Sequence, residues 1–499
     1  MFPVLHIALV IVNLAVHLAV LGLQLATSCL GRRPLRRIPA PAQEPFVTLL
    51  VPAHNEPPEV LGATLRSLQD LDWDRFEVVV VDNNTRDAAV WRPVEALCQT
   101  LGPRFRFLHV EGLEGAKAGA LNWVRPQLDP RTEFVLVVDA DYLVKPSALR
   151  RGIRYFSEPQ IGLVQFPQEY RNIGPANVGL ALDFKHFFAG YMNMANHLGC
   201  VPSTGTLSLI RLEALDAVGG FHTDVVTEDA DLGLRLNLRG FRSVYAPEVV
   251  GHGLIPHDLE SLKKQRWRWA FGNAQILKLN WRRLLWEGDL SFRQRLGYLV
   301  HLTAWFNFNL VPRLTLILMA PLAWWNRMHP LQPYLVVLSG FTLLTFLVLR
   351  FGTLYYSLRR EGHGVREIAL AFLSHWSLDC LLGFSWVRCL ADHRAPFVRT
   401  NKFLRGAVPG ILRLTLVEAA TGLALLAACA VLTVTDFIIG PVAALMIGGG
   451  RFLVYWLWWQ SKTTWRITEA LGRRAEDDLQ QALDATEPEP DEPERMVPA

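Results

Sequence analysis

The chain has 499 residues, 51% of them hydrophobic and 19% charged, with a formal net charge of +4. That length allows two or three domains, and the apolar bias points to a membrane protein with a substantial soluble part. The small net charge gives no basic footprint for nucleic acid, and six scattered cysteines without a CxxC pair indicate neither a disulfide framework nor a structural zinc site.

Residues 2–30, "FPVLHIALVIVNLAVHLAVLGLQLATSCL", exceed the ~20 apolar residues that a bilayer requires. The segment starts apolar and lacks the basic n-region of a cleaved leader, so it reads as a retained transmembrane helix, domain 1–30. Arg32, Arg33, Arg36 and Arg37 follow it; the positive-inside rule puts them in the cytoplasm and the N-terminus outside.

From about 43 the texture changes. The runs "FVTLLVP", "FEVVVVD", "FRFLHV" and "FVLVVDAD" are short, apolar and β-rich, and helical patterns separate them. Such runs are typical of buried parallel strands in βαβ units. Ligands of these sheets bind beyond the carboxyl ends of the strands. A cytoplasmic α/β domain is expected over 43–290, ending in an interfacial helix.

Apolar segments return near 297–326, 332–357, 408–432 and 434–460. The first is broken by Pro312 and Arg313, as in a kinked span or an interfacial helix. The stretch 365–390 carries Arg366, Glu367, His375, Asp379 and Arg388, so it is expected to lie in the plane of the cytoplasmic surface. Five spans, N-terminus out and C-terminus in, satisfy the charge rule, and 291–465 is the membrane region. The acidic, Pro-rich tail in 466–499 is expected to be disordered, with no regulatory domain after the membrane region.

Asp139 and Asp141 end an apolar run, and alternation along an extended chain would put both carboxylates on one side. Two hard oxygen ligands suit Mg²⁺ or Mn²⁺, usually held by one or two carboxylates plus substrate phosphates; a turn with a capping Asp fits equally well. Asp82 ends another run and can accept hydrogen bonds from a nucleobase or ribose, with the turn Ala53, Asn55 and Glu56 beneath it; ordinary turn chemistry is the plainer alternative. Lys117 sits among small residues that allow close approach to a phosphate, or is simply solvated. In "VTEDADLGLRL", Glu228, Asp229 and Asp231 fit a helix start, where acidic side chains are favoured, and also a catalytic base. "KKQRWRWAFGNAQ" alternates cations with Trp267 and Trp269, which suits a membrane surface or a sugar platform.

Taken in order, Asp82, the Lys117 segment, Asp139-x-Asp141, Thr227-Glu228-Asp229 and Gln265-x-x-Arg268-Trp269 resemble the D, DxD, TED and QxxRW signature of the processive family 2 glycosyltransferases, the cellulose, hyaluronan, chitin and β-glucan synthases. "PFVRTNKF" resembles the gating loop of bacterial cellulose synthase, with Arg399 where that family has Val, placing a loop at 395–403. "DNNTRDAAVWRPVEALC", "LGPRFRFLHV" and "STGTLSLIRLEAL" are closest in texture to bacterial cyclic β-1,3-glucan synthases.

The resemblance implies a GT-A, Rossmann-like α/β domain joined to a helical transmembrane bundle with interfacial amphipathic helices. It implies that Ala53, Asn55, Glu56, Asp82, Lys117, Asp139, Asp141 and Arg268 bind the nucleotide sugar, Asp139 and Asp141 through the metal, with Thr400 and Lys402 closing over it. Thr204, Gly205, Glu228, Gln265 and Trp269 fall to the acceptor. Asp229 is the base, and Glu228 and Asp231 cap its helix and hold it in place. The expected activity is inverting, processive synthesis of a β-glucan, β-1,3 favoured, from UDP-glucose, with export of the growing glycan through the bilayer of a bacterial inner membrane. Competing readings are transfer of one sugar to a lipid, use of UDP-GlcNAc or GDP-mannose, and a transporter or scaffold that only binds.

Overall fold

The computed structural model describes residues 2–31, 35, 38, 43–173, 178–256, 259–305, 328–377 and 379–395, together with positions 318, 321–322, 324–325, 420, 424 and 427. Thr400, Lys402, most of the 395–403 loop, nearly all of the 408–460 spans and the acidic tail lie outside the described residues.

After helix α1 (Phe2–Leu30), the α/β domain begins with β1 (Phe46–Ala53), α2 (Pro58–Gln69), β2 (Phe76–Asn83), α3 (Ala88–Leu101), β3 (Phe105–Val110), α4 (Ala116–Val124) and β4 (Thr132–Val137). It continues through β5 (Leu143–Val144), α5 (Ala148–Ile153), β6 (Ile161–Gln165), β7 (Glu169–Tyr170), α6 (Val178–His186), a π-helical turn (Phe187–Met192), α7 (Asn193–Leu198), β8 (Ser208–Arg211), α8 (Leu212–Ala217), α9 (Glu228–Leu238), β9 (Arg242–Tyr245), β10 (Gly251–Gly253) and α10 (Leu259–Leu285). Then come α11 (Phe292–Trp305), α12 (Gln332–Arg360), α13 (Val365–Ser377) and α14 (Asp379–Ala391).

Seven strands form the main sheet in the order β3-β2-β1-β4-β8-β6-β9. The first four are parallel. Every residue of β2 is buried, so the unbroken run "FEVVVVD" marks a central strand covered on both faces. Alternate residues divide between the faces: Leu49, Val51, Val78 and Val80 pack with Leu61, Leu65 and Leu68 of α2, while Leu50, Val79 and Val81 pack with Leu121 of α4 and Leu232 of α9. The expected parallel strands are β1 to β4; β8, reached after the helical excursion of α6 and α7, is antiparallel to both β4 and β6. A second sheet, β5-β10-β7, flanks the site.

Among the described residues, one helix, Pro3–Leu30, is long and apolar enough to cross a membrane. α12 spans the expected 332–357 segment and packs against α1. The 365–390 stretch is two helices: α13 packs on α6 and α12, and α14 packs on α10 and α11.

Candidate active site

The carboxyl ends of β1, β2 and β4 open into one cavity of about 440 Å³, a size usual for ligand sites. It lies where the strand order reverses between β1 and β4, the switch point of an open α/β sheet. Ala53, His54 and Glu56 follow β1; Asn83 and Asn84 close β2; Lys117 enters from the first turn of α4. Backbone strain gathers here: Asn55, Asn84, Ala116 and Leu207 all adopt positive φ, between 48° and 57°. Asparagine tolerates this conformation, whereas it is costly for Ala116 and Leu207 and must be held by the surroundings. Asn84 is fixed from both sides, donating to the Leu113 carbonyl at 2.8 Å and accepting from the Leu113 N–H at 3.1 Å.

Asp139 and Asp141 both line the cavity, but on the loop after β4 and not on an extended strand, since β4 ends at Val137. The Thr206 hydroxyl accepts from the Asp139 N–H, and Asp141 Oδ2 accepts from the Leu254 N–H at 2.8 Å. Lys117 Nζ donates to Asp139 Oδ1 at 2.6 Å and to the Gly205 carbonyl at 2.7 Å. Burial alone would lower the Lys117 pKa, but Asp139, then Glu228 and Asp229, outweigh it and hold the ammonium above the ordinary lysine value. Two carboxylates on one wall beside a cation fit a divalent ion shared with a diphosphate. Among the described residues no cluster of three or more His, Cys, Asp or Glu is poised to hold a metal by itself, so substrate oxygens must complete such a shell.

The opposite wall is the start of α9. Glu228 is buried, and burial together with neighbouring Asp229 pushes its carboxyl up to about 7. Burial raises Asp229 as well, against the pull of Lys117 and Arg268. Asp229 Oδ1 accepts from the Ala230 N–H at 2.8 Å, and its Oδ2 lies against Gly205, which has φ +82° and no room for a side chain. From α10, Gln265, Arg268 and Trp269 reach the same cavity. Two buried lining atoms, Gln265 Oε1 and Thr227 Oγ1, have no hydrogen-bond partner among the described residues. Such orphans are costly unless a ligand or water satisfies them, and they suit the hydroxyls of a sugar.

Most of the expected residues therefore converge: Ala53, Glu56, Lys117, Asp139, Asp141, Thr204, Gly205, Glu228, Asp229, Gln265, Arg268 and Trp269 share this cavity. Three do not behave as expected. Asp82 is buried behind it with both oxygens engaged, by the Thr85 hydroxyl at 2.6 Å and His109 Nδ1 at 2.7 Å. Asn55 also sits behind, its N–H donating to the Thr85 hydroxyl and its amide nitrogen 3.0 Å from His54 Nε2. Asp231 caps nothing; it pairs with Arg235 at 2.6 Å and His222 at 2.9 Å. Tyr170 and Gln168 also line the cavity and carry no expectation from the sequence, and His54, within the Ala53 to Glu56 turn, lines it too. The signal for Gln168 is its place just past β6, another strand that ends at the site.

A second cavity, about 160 Å³, meets the first at Gln168, Thr204, Thr227, Asp229 and Trp269. It runs past Phe184, Tyr191 and Trp305 to Gln24 of α1 and Arg350 of α12. In its wall Arg266 Nη2 donates to Asp183 at 2.7 Å, both side chains are buried, and the guanidinium lies over the rings of Phe184 and Trp269.

The fold and site define a GT-A domain of the kind carried by nucleotide-sugar-dependent glycosyltransferases. Residues 44–272 match the model of the glycosyltransferase-like family 2. The chain is 34% identical over 304 residues to a putative cellulose synthase 2 of Komagataeibacter xylinus, covering 58% of this chain and 19% of the relative. It is 30% identical over 305 residues to a UDP-forming cellulose synthase catalytic subunit of Pseudomonas fluorescens, covering 58% and 39%. The chain thus spans well under half the length of these relatives. Among solved structures, a mannosyltransferase from Pyrobaculum calidifontis in complex with GDP-Man and Mn²⁺ superposes with a TM-score of 0.50 at 20% identity, over 77% of this chain and 99% of that one; the likeness is one of fold.

Proposed function

We propose that the protein is an inverting, processive glycosyltransferase that builds a β-glucan from UDP-glucose and passes it into the membrane. The observation that carries this reading is the convergence of Lys117, Asp139, Asp141, Asp229, Arg268 and Trp269 on one cavity, with a second cavity leading from Asp229 to α1 and α12.

The nucleotide end of the donor rests against His54, Asn83 and Asn84. Asp139 and Asp141 would hold Mg²⁺ or Mn²⁺, which when bound neutralises charge on the diphosphate. Trp269 offers its face to the terminal sugar of the acceptor, and Gln265 and Thr227 satisfy its hydroxyls. The acceptor hydroxyl oxygen bonds to the anomeric carbon as the bond from that carbon to the diphosphate breaks. Asp229 takes the hydroxyl proton, while Lys117 and Arg268 hold the negative charge that collects on the leaving group. The product, one sugar longer, moves along the second cavity. The relatives' names favour UDP-glucose, and the three segments given above favour a β-1,3 linkage. The setting is a bacterial inner membrane, with the α/β domain cytoplasmic and the N-terminus outside.

The test is a donor panel. The full chain in nanodiscs receives labelled UDP-glucose, UDP-GlcNAc or GDP-mannose with Mg²⁺ or Mn²⁺, and products are digested with linkage-specific glucanases. Polymer from UDP-glucose that a β-1,3-glucanase degrades is expected. A product carrying a single sugar on lipid, or none from UDP-glucose, contradicts the proposal.

A further inference from the structure

We propose that Gln275 is a positioning residue for Asp229. The inference rests on Asp229 being the base. Thr227, the residue before α9, makes no side-chain cap. The segment just before it is held from α10. Gln275 Oε1 accepts from the Val226 N–H at 3.0 Å, and Nε2 donates to the Asp224 carbonyl at 2.9 Å. The same Nε2 donates to the His393 carbonyl at 2.9 Å, just past α14. Gln275 is 1% exposed, so none of these bonds has water as a ready substitute. One turn earlier on α10, Gly272 lies directly on Thr227.

A single amide therefore fixes the chain three residues before Asp229, from the helix that also carries Gln265, Arg268 and Trp269. Base and sugar platform are referenced to one rigid element, as a reaction sensitive to sub-ångström placement requires. Lys278, one turn further along α10, provides the control. It donates to the Leu390 carbonyl at 2.7 Å and the Cys389 carbonyl at 3.3 Å, so it ties α14 to α10 without touching the base segment.

The experiment compares Gln275→Leu, Gln275→Glu and Lys278→Met in the full chain. Gln275→Leu should lower kcat at least about 10-fold while donor KM stays within about twofold, and Lys278→Met should keep kcat within about twofold. Amide hydrogen exchange needs no activity: the peptide containing Val226 should exchange faster in Gln275→Leu and not in Lys278→Met. In Gln275→Glu only the protonated carboxyl can both accept from Val226 and donate, so its activity relative to the parent should rise as pH falls. Equal losses in Gln275→Leu and Lys278→Met, unchanged exchange at Val226, or a flat pH ratio for Gln275→Glu would overturn the proposal. A parent inactive with every donor would instead count against the transferase reading, with the exchange result still deciding the role of Gln275 in holding the segment.

Discussion

The backbone of Gly272 in α10 rests against the side chain of Thr227: a β-carbon on Gly272 would collide with Thr227 Oγ1 and Cγ2. This contact sets the distance between the helix bearing Arg268 and Trp269 and the turn bearing Glu228 and Asp229. Gly272→Ala must push the two apart. Overpacking of this kind costs about 1–3 kcal/mol, and the lost alignment should lower kcat by more than about 10-fold while UDP binding, measured by calorimetry, changes little. Adding Thr227→Ala should recover part of the loss, because it removes the two atoms most in the way.

Lys117 should matter both to donor binding and to stability. Its ammonium bridges Asp139 and the Gly205 carbonyl, so Lys117→Met removes charged hydrogen bonds worth about 1.5–3 kcal/mol each. UDP affinity should fall about 10-fold or more by calorimetry, and the loss of the two internal bonds should lower the thermal midpoint as well.

Glu228 gives the pH dependence a sign. Its native value, about 7, lies above the ordinary 4.5 because of burial first and Asp229 second. The native chain therefore holds this proton more tightly than the unfolded chain does. The resulting stability is complete below about 4.5 and is lost as pH rises through about 7. Glu228→Gln should unfold at a higher temperature than the parent above pH 7, by a few degrees, and the gap should close as pH falls toward 4.5. Activity should rise with pH along a limb that belongs to the Glu228–Asp229 pair, and that limb should move to lower pH in Glu228→Gln.

The Arg266–Asp183 pair is buried on both sides. Asp183→Asn leaves a buried guanidinium without its counter-charge, so it should destabilise the fold by about 3–5 kcal/mol. Combining it with Arg266→Leu should restore much of that loss. Denaturation in detergent of the two single variants and the double variant measures the coupling.

Much of this site could be read in the sequence because its chemistry sits at strand ends. The apolar runs place β1 to β4, and Asp139 and Asp141 stand at the end of one of them, whereas the choice of Asp229 among three carboxylates and of Trp269 as a sugar platform comes from the resemblance to the family 2 glycosyltransferases. What escaped is set by side-chain partners that the local pattern does not name. Asp82 ends β2 as the apolar run indicates, but its bonds to Thr85 and His109 are not visible in that run. Asp231 looks like a cap until Arg235 and His222 pair with it. β8, antiparallel in the sheet, has no strand signal of its own among the apolar runs. Gln275 carries no local signal, since its partners Asp224, Val226 and His393 are remote in sequence.

The central claim is that Asp229 accepts the proton of the attacking sugar hydroxyl. Its most direct test is the rate of glucan formation from labelled UDP-glucose by Asp229→Asn, with UDP affinity measured on the same preparation. A general base contributes about 10²–10⁴-fold, so the rate should fall by that factor while UDP still binds within about threefold of the parent. Polymer formed at the parent's rate by Asp229→Asn would contradict the account.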